Sequence, residues 1–265
     1  MQKGAKSLVD EMKRLATRGK AEELVGRLYR AARALREPVP FEEKFRRSDL
    51  HSNIYEPTWS AADEAEARLL IYNTDSEESF VEGGKADAAR LRPYFDKGST
   101  VLDLGCGIGR VASFVAPECA RLWAVDVSQK MLDLAAKRLA GCDNVTYLHS
   151  RDVAMPAVPS ASVDLAYSLL VLQHLEREDA FLLLEELRRV LKPGGTLVVT
   201  FPNLLSDEYL GSFLEYVRDR SKRVPARARA YTPAEVGRIM EAAGFEAALD
   251  PGVEIRVVAH PRPPT

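Results

Sequence analysis

From residue 85 onward, short apolar runs alternate with longer segments in which apolar positions recur every three or four residues. The short runs predict strands and the longer segments predict helices. Five predicted strands occupy residues 101–104, 121–126, 145–148, 163–170 and 196–201. Two further apolar runs, 245–249 and 254–259, flank Asp250-Pro251-Gly252 and predict a hairpin. Strands that alternate with helices are typical of an α/β fold with a parallel sheet.

Local signals mark the ends of the predicted helices. Ser128 can cap the helix that follows the second strand. The helical spacing of residues 181–191 stops at Lys192-Pro193-Gly194-Gly195, because Pro and Gly cannot continue a helix. The run Thr232-Pro233-Ala234-Glu235 has the spacing of a capping box, and Gly244 suits the position after a helix end. These signals predict a final helix between the last parallel strand and the hairpin.

Three alternating glycines follow the first predicted strand, at positions 105, 107 and 109. Glycine lets the backbone turn sharply and come into contact with a ligand that a Cβ would exclude. The spacing differs from the G-x-G-x-x-G run of dinucleotide-binding folds, and Arg110 directly follows the last glycine. Asp103 stands two residues before the first glycine, and an acid at this point suits a cationic ligand better than a pyrophosphate.

Further acids follow the next two predicted strands. Asp126 ends the second strand, about 20 residues after the glycine turn, where a carboxylate can accept hydrogen bonds from both hydroxyls of a ribose. The alternative is a solvated Asp at a strand end. Asp152 follows the third strand and Ser168 lies within the fourth. Since the carboxyl ends of parallel strands meet at one edge of a sheet, we expect these residues to converge on one cleft.

The run Asp103-x-Gly105-x-Gly107-x-Gly109, the two later acids and the Leu-Lys-Pro-Gly-Gly turn at 191–195 resemble class I S-adenosylmethionine (SAM)-dependent methyltransferases, from residue 85 to the hairpin. The resemblance implies a Rossmann-like, seven-stranded, doubly wound sheet of five parallel strands and a C-terminal antiparallel hairpin. It implies SAM as the methyl donor and S-adenosylhomocysteine (SAH) as the product, with no metal. The implied cofactor-binding residues are Asp103, Gly105, Cys106, Gly107, Gly109, Asp126, Val127, Asp152, Val153 and Ser168. In the family, the acid at Asp152 holds the adenine amino group and the next residue contributes a backbone N–H.

His174 is the candidate general base. It follows the fourth strand at the mouth of the expected cleft, and histidine titrates near neutrality, so it could take a proton from a hydroxyl or an amine. The alternative is that His174 opens the next helix and only packs or binds water. Family members that methylate amines of bases or glutamine carry an Asn/Asp-Pro-Pro-aromatic turn here, whereas this chain has Tyr167-Ser168-Leu169-Leu170. The resemblance therefore favours a small-molecule acceptor.

Two stretches lie outside the expected core. Residues 1–84 are predicted to form a helical N-terminal extension that serves as a substrate cap, and residues 85–265 the SAM-binding domain, with a lid-like insertion at 202–231. The amphipathic segment 1–37 is rich in Lys and Arg, which favours either contact with nucleic acid or a membrane surface, or docking beside the acidic segment 49–83. Four aromatic residues of the extension could close over a substrate or pack on the core: Phe41, Tyr55, Trp59 and Tyr72.

Composition narrows the class of protein. The net charge of the 265 residues is −2, which argues against a nucleic-acid partner, and no apolar run approaches the length of a membrane span. Cys106, Cys119 and Cys142 form no C-x-x-C pair and indicate a reducing, cytoplasmic location. No signal peptide is expected, because the N-terminus lacks an uninterrupted apolar segment.

Three functions fit these observations. The first is a SAM-dependent methyltransferase that transfers a methyl group to an O, N or C nucleophile of a small molecule by in-line displacement. The second is a methyltransferase that acts on RNA or protein, docked by the basic N-terminal helix. The third is a SAM-binding module without turnover. Salt-dependent binding to RNA would favour the second.

Overall fold

The computed structural model describes residues 55–150, 153–222, 224 and 226–263. These residues form a seven-stranded sheet in the order β3-β2-β1-β4-β5-β7-β6. Strands β1 to β5 are parallel, and β7 pairs antiparallel with both β5 and β6. The predicted fold class is therefore confirmed. The strands are β1 Thr100–Leu104, β2 Arg121–Asp126, β3 Val145–His149, β4 Val163–Ser168, β5 Leu191–Pro202, β6 Phe245–Pro251 and β7 Glu254–Pro261.

Seven α-helices lie between residues 64 and 242 in the described ranges, and five of them begin after a residue whose side chain caps the helix. They are α1 Glu64–Tyr72, α2 Glu77–Leu91, α3 Ala112–Val115, α4 Gln129–Arg138, α5 Arg177–Val190, α6 Asp207–Arg218 and α7 Pro233–Ala242. Ser128 caps α4, and Thr232 and Glu235 form the capping box of α7. Helix α3 is a single turn followed by a 3-10 turn that contains Pro117, so the helix after the glycine loop is shorter than its apolar spacing suggests.

The core has two layers, one on each face of the sheet. Neighbouring residues of β1 point to opposite faces, so Val101 and Leu102 belong to different apolar clusters. Val101 pairs with Leu122 and Leu165, and all three are fully buried in the same layer. This burial on both faces explains why the central strands are almost continuously apolar.

Two strand boundaries differ from the sequence prediction. Strand β5 begins at Leu191, directly after α5, and includes the Lys192-Pro193-Gly194-Gly195 turn, with a shift in its register to β4 between Val163 and Leu165. Strand β4 ends at Ser168, because Leu170 has a φ of 62° and cannot continue an extended backbone. The loop after β4 therefore turns earlier than the apolar run predicts.

Helices α1 and α2 pack against the domain that follows them. A Cβ on Gly84 of α2 would lie 2.3 Å from the carbonyl oxygen of Arg110, so α2 approaches the loop after β1 at backbone contact. Helix α2 runs through residues 84 and 85. The division of the chain at that point stays a prediction, and Phe41 and the helix predicted at 1–37 lie outside the described residues.

Helix α6 occupies the predicted insertion at 202–231. It begins after β5, none of its residues is buried, and the chain returns to the sheet edge through a bridge between Asn203 and Tyr231. Within the described ranges, no helix is both long enough and apolar enough to cross a membrane. The insertion therefore presents its helix at the carboxyl edge of the sheet, which is where the parallel strands also end.

Candidate functional site

The glycine loop presents its backbone to a cavity. Gly105 and Gly107 have φ values of +76° and +53°, a region that residues with a Cβ rarely adopt. The N–H groups of Gly105 and Cys106 both donate to the carbonyl oxygen of Val125, at 2.8 and 3.0 Å, and tie the loop to β2. A Cβ on Gly105 would lie 2.4 Å from Val171 Cγ2. The loop is therefore held against β2, with no room for a Cβ at Gly105.

Asp126 is a buried carboxylate at the end of β2. Its Oδ2 accepts from the N–H of Gly107 at 2.8 Å, and its Oδ1 accepts from the N–H of Ser128 at 2.9 Å. Burial raises the pKa of Asp126, although these hydrogen bonds oppose the shift. Each carboxylate oxygen has two lone pairs, so both can still accept from a ligand. The arrangement suits a pair of neighbouring hydroxyls such as those of a ribose.

Asp103 is the second buried carboxylate of the site. The hydroxyl of Tyr167 donates to its Oδ2 at 2.8 Å. Burial raises the pKa of Asp103 to about 7; the Tyr167 hydrogen bond opposes this, and the neighbouring charge of Asp126 adds to it. A ligand cation beside Asp103 would favour the ionised form. The site thus offers a buried carboxylate that a positive group can stabilise.

Arg110, for which the sequence suggested no role, lines the same cavity. Its guanidinium lies 4.3 Å from the ring centroid of Tyr72, and its Nη1 is 2.8 Å from Asp87 Oδ2. The buried Nη1 donates no well-formed hydrogen bond to any described residue. The carboxylate of Asp87 therefore compensates the charge of Arg110. Asp103, Asp126 and Arg110 therefore bring charged groups of both signs to one cavity.

The cavity has an empty volume of about 1130 Å³, including its opening to solvent, and brings most of the predicted cofactor residues together. Those that line it are Asp103, Gly105, Cys106, Gly107, Asp126 and Val127, together with His174. Gly109, Ser168 and Val153 do not line it: Gly109 faces Leu139, and the Ser168 hydroxyl donates to the Leu104 carbonyl oxygen at 2.9 Å. Asp152 lies outside the described residues.

Residues before the sheet cover part of the cavity. Tyr55, Trp59 and Ile71 line it, and Ile71 Cδ1 would be 2.9 Å from a Cβ on Gly107. The aromatic pattern pointed to Tyr55 and Trp59 but also to Tyr72, which stacks with Arg110 instead. The sequence does not indicate that Ile71 lines a site, because its context is that of any apolar helix position.

His174 is enclosed on several sides. Its Nδ1 lies 2.7 Å from the carbonyl oxygen of Ala226 and must donate to it, so in the neutral ring Nε2 accepts from the Gln173 amide at 3.0 Å. The ring of Trp59 lies 4.6 Å away, centroid to centroid. Burial lowers the pKa of His174 to about 4, and the charge of Arg229 contributes. His174 is therefore neutral and only weakly basic at neutral pH, so the role of general base stays a prediction.

We expect the buried His174 to make the protein less stable in mild acid. The folded pKa of about 4 is below the ordinary value of 6.5, so the unfolded chain takes up a proton first as pH falls from about 6.5 to 4. The contribution of His174 to the free energy of unfolding should be about 2 kcal/mol lower at pH 5 than at pH 8. Urea unfolding of the wild type and His174→Gln at both pH values measures it. An equal pH dependence in the two proteins would contradict the prediction.

Part of the chain is similar in sequence to known methyltransferases. Residues 101–195 match the methyltransferase domain family. The chain is 33% identical over 102 residues to demethylmenaquinone methyltransferase of Clavibacter sepedonicus, covering 38% of this chain and 40% of that protein. It is 24% identical over 157 residues to phosphoethanolamine N-methyltransferase of Plasmodium falciparum, covering 57% and 59% respectively.

A solved structure shares the fold. Human N-acetylserotonin methyltransferase in complex with SAM has a TM-score of 0.51 and 20% identity to this chain, covering 75% of this chain and 59% of that one. The matches to the curated relatives span about half of their length. The family match covers the glycine loop, Asp126 and the Leu-Lys-Pro-Gly-Gly turn. Residues 101–195 are thus similar to the methyltransferase domain family, and the fold is shared with a methyltransferase solved in complex with SAM.

Proposed function

We propose that this protein transfers a methyl group from SAM to an O, N or C nucleophile of a small molecule. The observation that carries the proposal is one cavity in which two buried carboxylates, Asp103 and Asp126, flank a bare glycine loop beneath an apolar cover. When bound, SAM supplies a methyl group on a positively charged sulfur that a nucleophile can displace in line. The protein must then bind the donor and the acceptor, align them and exclude water.

The cofactor would be held by groups of both charges. Asp126, oriented by the Gly107 and Ser128 N–H groups, would accept from the ribose hydroxyls. Asp103 would face the positive ammonium and sulfur, and Arg110 the methionine carboxylate. Asp152 and Val153 are proposed for the adenine on the family pattern alone. Gly109 and Ser168 would act by shaping the loop and β4, since neither lines the cavity.

The apolar part of the cavity lining suits the apolar body of an acceptor. It is formed by leucine and valine side chains after β4 and by two aromatic residues, namely Leu169, Leu170, Val171, Leu175, Leu183, Tyr55 and Trp59. The Tyr55 hydroxyl donates to Asp179 at 3.0 Å and accepts from the Glu176 N–H at 2.9 Å, which ties the cover to the start of α5. Burial raises the pKa of Tyr55 to about 12, so it stays protonated. An apolar wall of this kind favours a small acceptor over RNA or protein.

His174 fits a positioning role at this wall. Its engaged ring nitrogens and low pKa leave little capacity to take a proton at neutral pH. An acceptor that is already nucleophilic, or that ionises readily, would need no strong base. The named activities of two relatives, on demethylmenaquinone and phosphoethanolamine, also concern small molecules, which supports the same class of acceptor.

Calorimetry with SAM and SAH tests whether the protein binds the proposed cofactor. We expect both to bind, because the cavity offers matching groups for each part of the molecule. Absence of binding of either at millimolar concentration would refute the cofactor assignment. If they bind, a radiolabelled methyl-transfer screen should label a metabolite extract and not RNA or protein. Labelling of RNA or protein would support the macromolecular alternative, and binding without any labelling would support a non-catalytic module.

A further inference from the structure

Leu170 has a backbone conformation that suits glycine. Its φ of +62° lies in the left-handed region, which residues with a Cβ occupy rarely and at a cost. Among the described residues, two others apart from glycine have a positive φ, namely Asn73 and Ala161. Asn73 ends α1, a position where asparagine is common, and Ala161 is small and exposed. Leu170 is therefore the bulky apolar residue among the three.

Hydrogen bonds hold the backbone around Leu170. Its N–H donates to the hydroxyl of Thr200 at 3.1 Å, and Thr200 is buried on the neighbouring strand β5. On the other side, the carbonyl oxygen of Val171 accepts from the N–H of His174 at 2.9 Å. A strained residue persists only where its surroundings fix it, and such residues cluster at functional sites. The conformation of Leu170 therefore points to a role in a site.

The side chain of Leu170 contributes little to the core. Leu170 is partly exposed and belongs to none of the apolar clusters that the described residues form. Its neighbour Leu169 packs against one of these clusters, and Val171 lies against Gly105 of the glycine loop. Leu170 lines the cavity instead. A strained residue that supports no packing within the fold is explained by contact with a ligand.

The apolar part of the cavity lining offers no partner for an ionic group. Among the described residues, the charged ones that line the cavity are Asp103, Arg110 and Asp126, which are those assigned to the cofactor. The Tyr55 hydroxyl already has hydrogen-bond partners, and burial lowers the pKa of His174 to about 4, so its ring is uncharged at neutral pH. An ionic group placed here would lose its water without gaining a partner, which is costly.

Arg229 does not supply the missing charge. Its Nη1 donates to the carbonyl oxygen of His174 at 2.8 Å, and its Nη2 pairs with the carboxylate of Glu176. Arg229 lies behind His174 and does not line the cavity. Its charge is therefore compensated outside the space in which an acceptor would lie.

We propose that the acceptor site takes an uncharged, largely apolar molecule, and that Leu170 is a specificity-determining residue that contacts its apolar body. The inference rests on the proposed methyl transfer and narrows its acceptor, because it excludes molecules that bring a carboxylate, a phosphate or an ammonium group to this part of the cavity. Leu170 follows β4, which pairs with β1, so it lies at the same edge of the sheet as the glycine loop. A molecule in contact with Leu170 would therefore lie beside the cofactor.

Three naphthalene probes of similar size test the class of acceptor by calorimetry with the SAH-saturated protein at neutral pH. They are 2-naphthol, which is uncharged, 2-naphthoate, which is negative, and 2-(aminomethyl)naphthalene, which is positive. We expect 2-naphthol to bind roughly tenfold or more tightly than either ion, because each ion must give up its water. Absence of 2-naphthol binding, or equal binding of either ion, would overturn the proposed class.

Substitutions of Leu170 test its role. Leu170→Gln keeps the approximate size of the side chain but makes it polar, and should weaken 2-naphthol binding roughly fivefold or more. Leu170→Met stays apolar and should bind within about twofold of the wild type. Affinity for SAH should be unchanged in both variants. Ala161→Gln is the matched control, because Ala161 has a φ of +50°, is exposed and does not line the cavity.

Leu170→Gly separates contact with a ligand from packing. Glycine suits the φ of +62°, so the midpoint of thermal unfolding should fall by no more than about 2–4 °C. Its 2-naphthol affinity should nevertheless fall at least as far as that of Leu170→Gln. A much larger fall in the unfolding midpoint would show that Leu170 serves the stability of the fold, which would overturn its assigned role.

Two further results would remove Leu170 from the acceptor site. Leu170→Gln could bind 2-naphthol as tightly as the wild type. Its affinities for SAH and 2-naphthol could fall equally, which would assign Leu170 to the cofactor. Failure of the wild type to bind SAH would refute the proposed function itself, and it is detected before any probe is added. The two failures are therefore distinguishable.

Discussion

Replacing Asp126 by Ala is expected to weaken SAH binding roughly 100- to 1000-fold. Hydrogen bonds from a ligand to a charged group contribute about 1.5–3 kcal/mol each, and Asp126 would accept two from the ribose hydroxyls. The variant also frees the N–H groups of Gly107 and Ser128, which Asp126 now holds at 2.8 and 2.9 Å. We therefore expect the variant to lose the contact with the ligand and to change the conformation of the glycine loop.

Calorimetry with SAH measures this loss, and circular dichroism gives the folded fraction. Asp126→Asn is the companion variant: it keeps one acceptor oxygen and loses the charge, so we expect an intermediate affinity. Asp133→Ala is the control, because Asp133 is exposed on α4 and should leave the affinity unchanged. Binding by a folded Asp126→Ala protein at wild-type strength would remove Asp126 from the site.

Most of the fold could be predicted from the sequence because its signals are local. The apolar runs of β1, β2, β4 and β5 are buried on both faces, and the caps of α4 and α7 use side chains within three residues of the helix start. The alternating glycines indicated a close ligand without any knowledge of the tertiary structure. Patterns of this kind depend on neighbours along the chain, which a sequence displays directly.

The features that could not be predicted from the sequence depend on contacts between segments that are distant along the chain. The pKa of His174 is set by burial and by Ala226 and Arg229, more than 50 residues away along the chain. No sequence pattern therefore indicates that the imidazole is uncharged at neutral pH. Ile71 reaches the glycine loop only because α1 packs there. Strand β4 ends early, at Ser168, and beyond it the N–H of Leu170 donates to the Thr200 hydroxyl on the neighbouring strand at 3.1 Å. The wall proposed for the acceptor is therefore the part of the cavity that sequence reasoning could not assemble.

The close fit of Gly105 against Val171 predicts a second large effect, on stability. Gly105→Ala places a Cβ at a φ of +76°, which costs about 1–2 kcal/mol for a residue other than glycine. The same Cβ would lie 2.4 Å from Val171 Cγ2, and overpacking of this kind costs a further ~1–3 kcal/mol. We expect the free energy of unfolding to fall by about 2–5 kcal/mol.

A double-mutant cycle separates the two causes. In the Gly105→Ala background, Val171→Ala should restore the part that is due to the clash, while the backbone strain persists because the left-handed conformation is unchanged. Urea unfolding of the four proteins gives the coupling energy, and Gly141→Ala is the control, since no atom lies within 4 Å of its added Cβ. A Gly105→Ala protein as stable as Gly141→Ala would show that the loop can move, and a loop that moves would not hold a cofactor by its backbone.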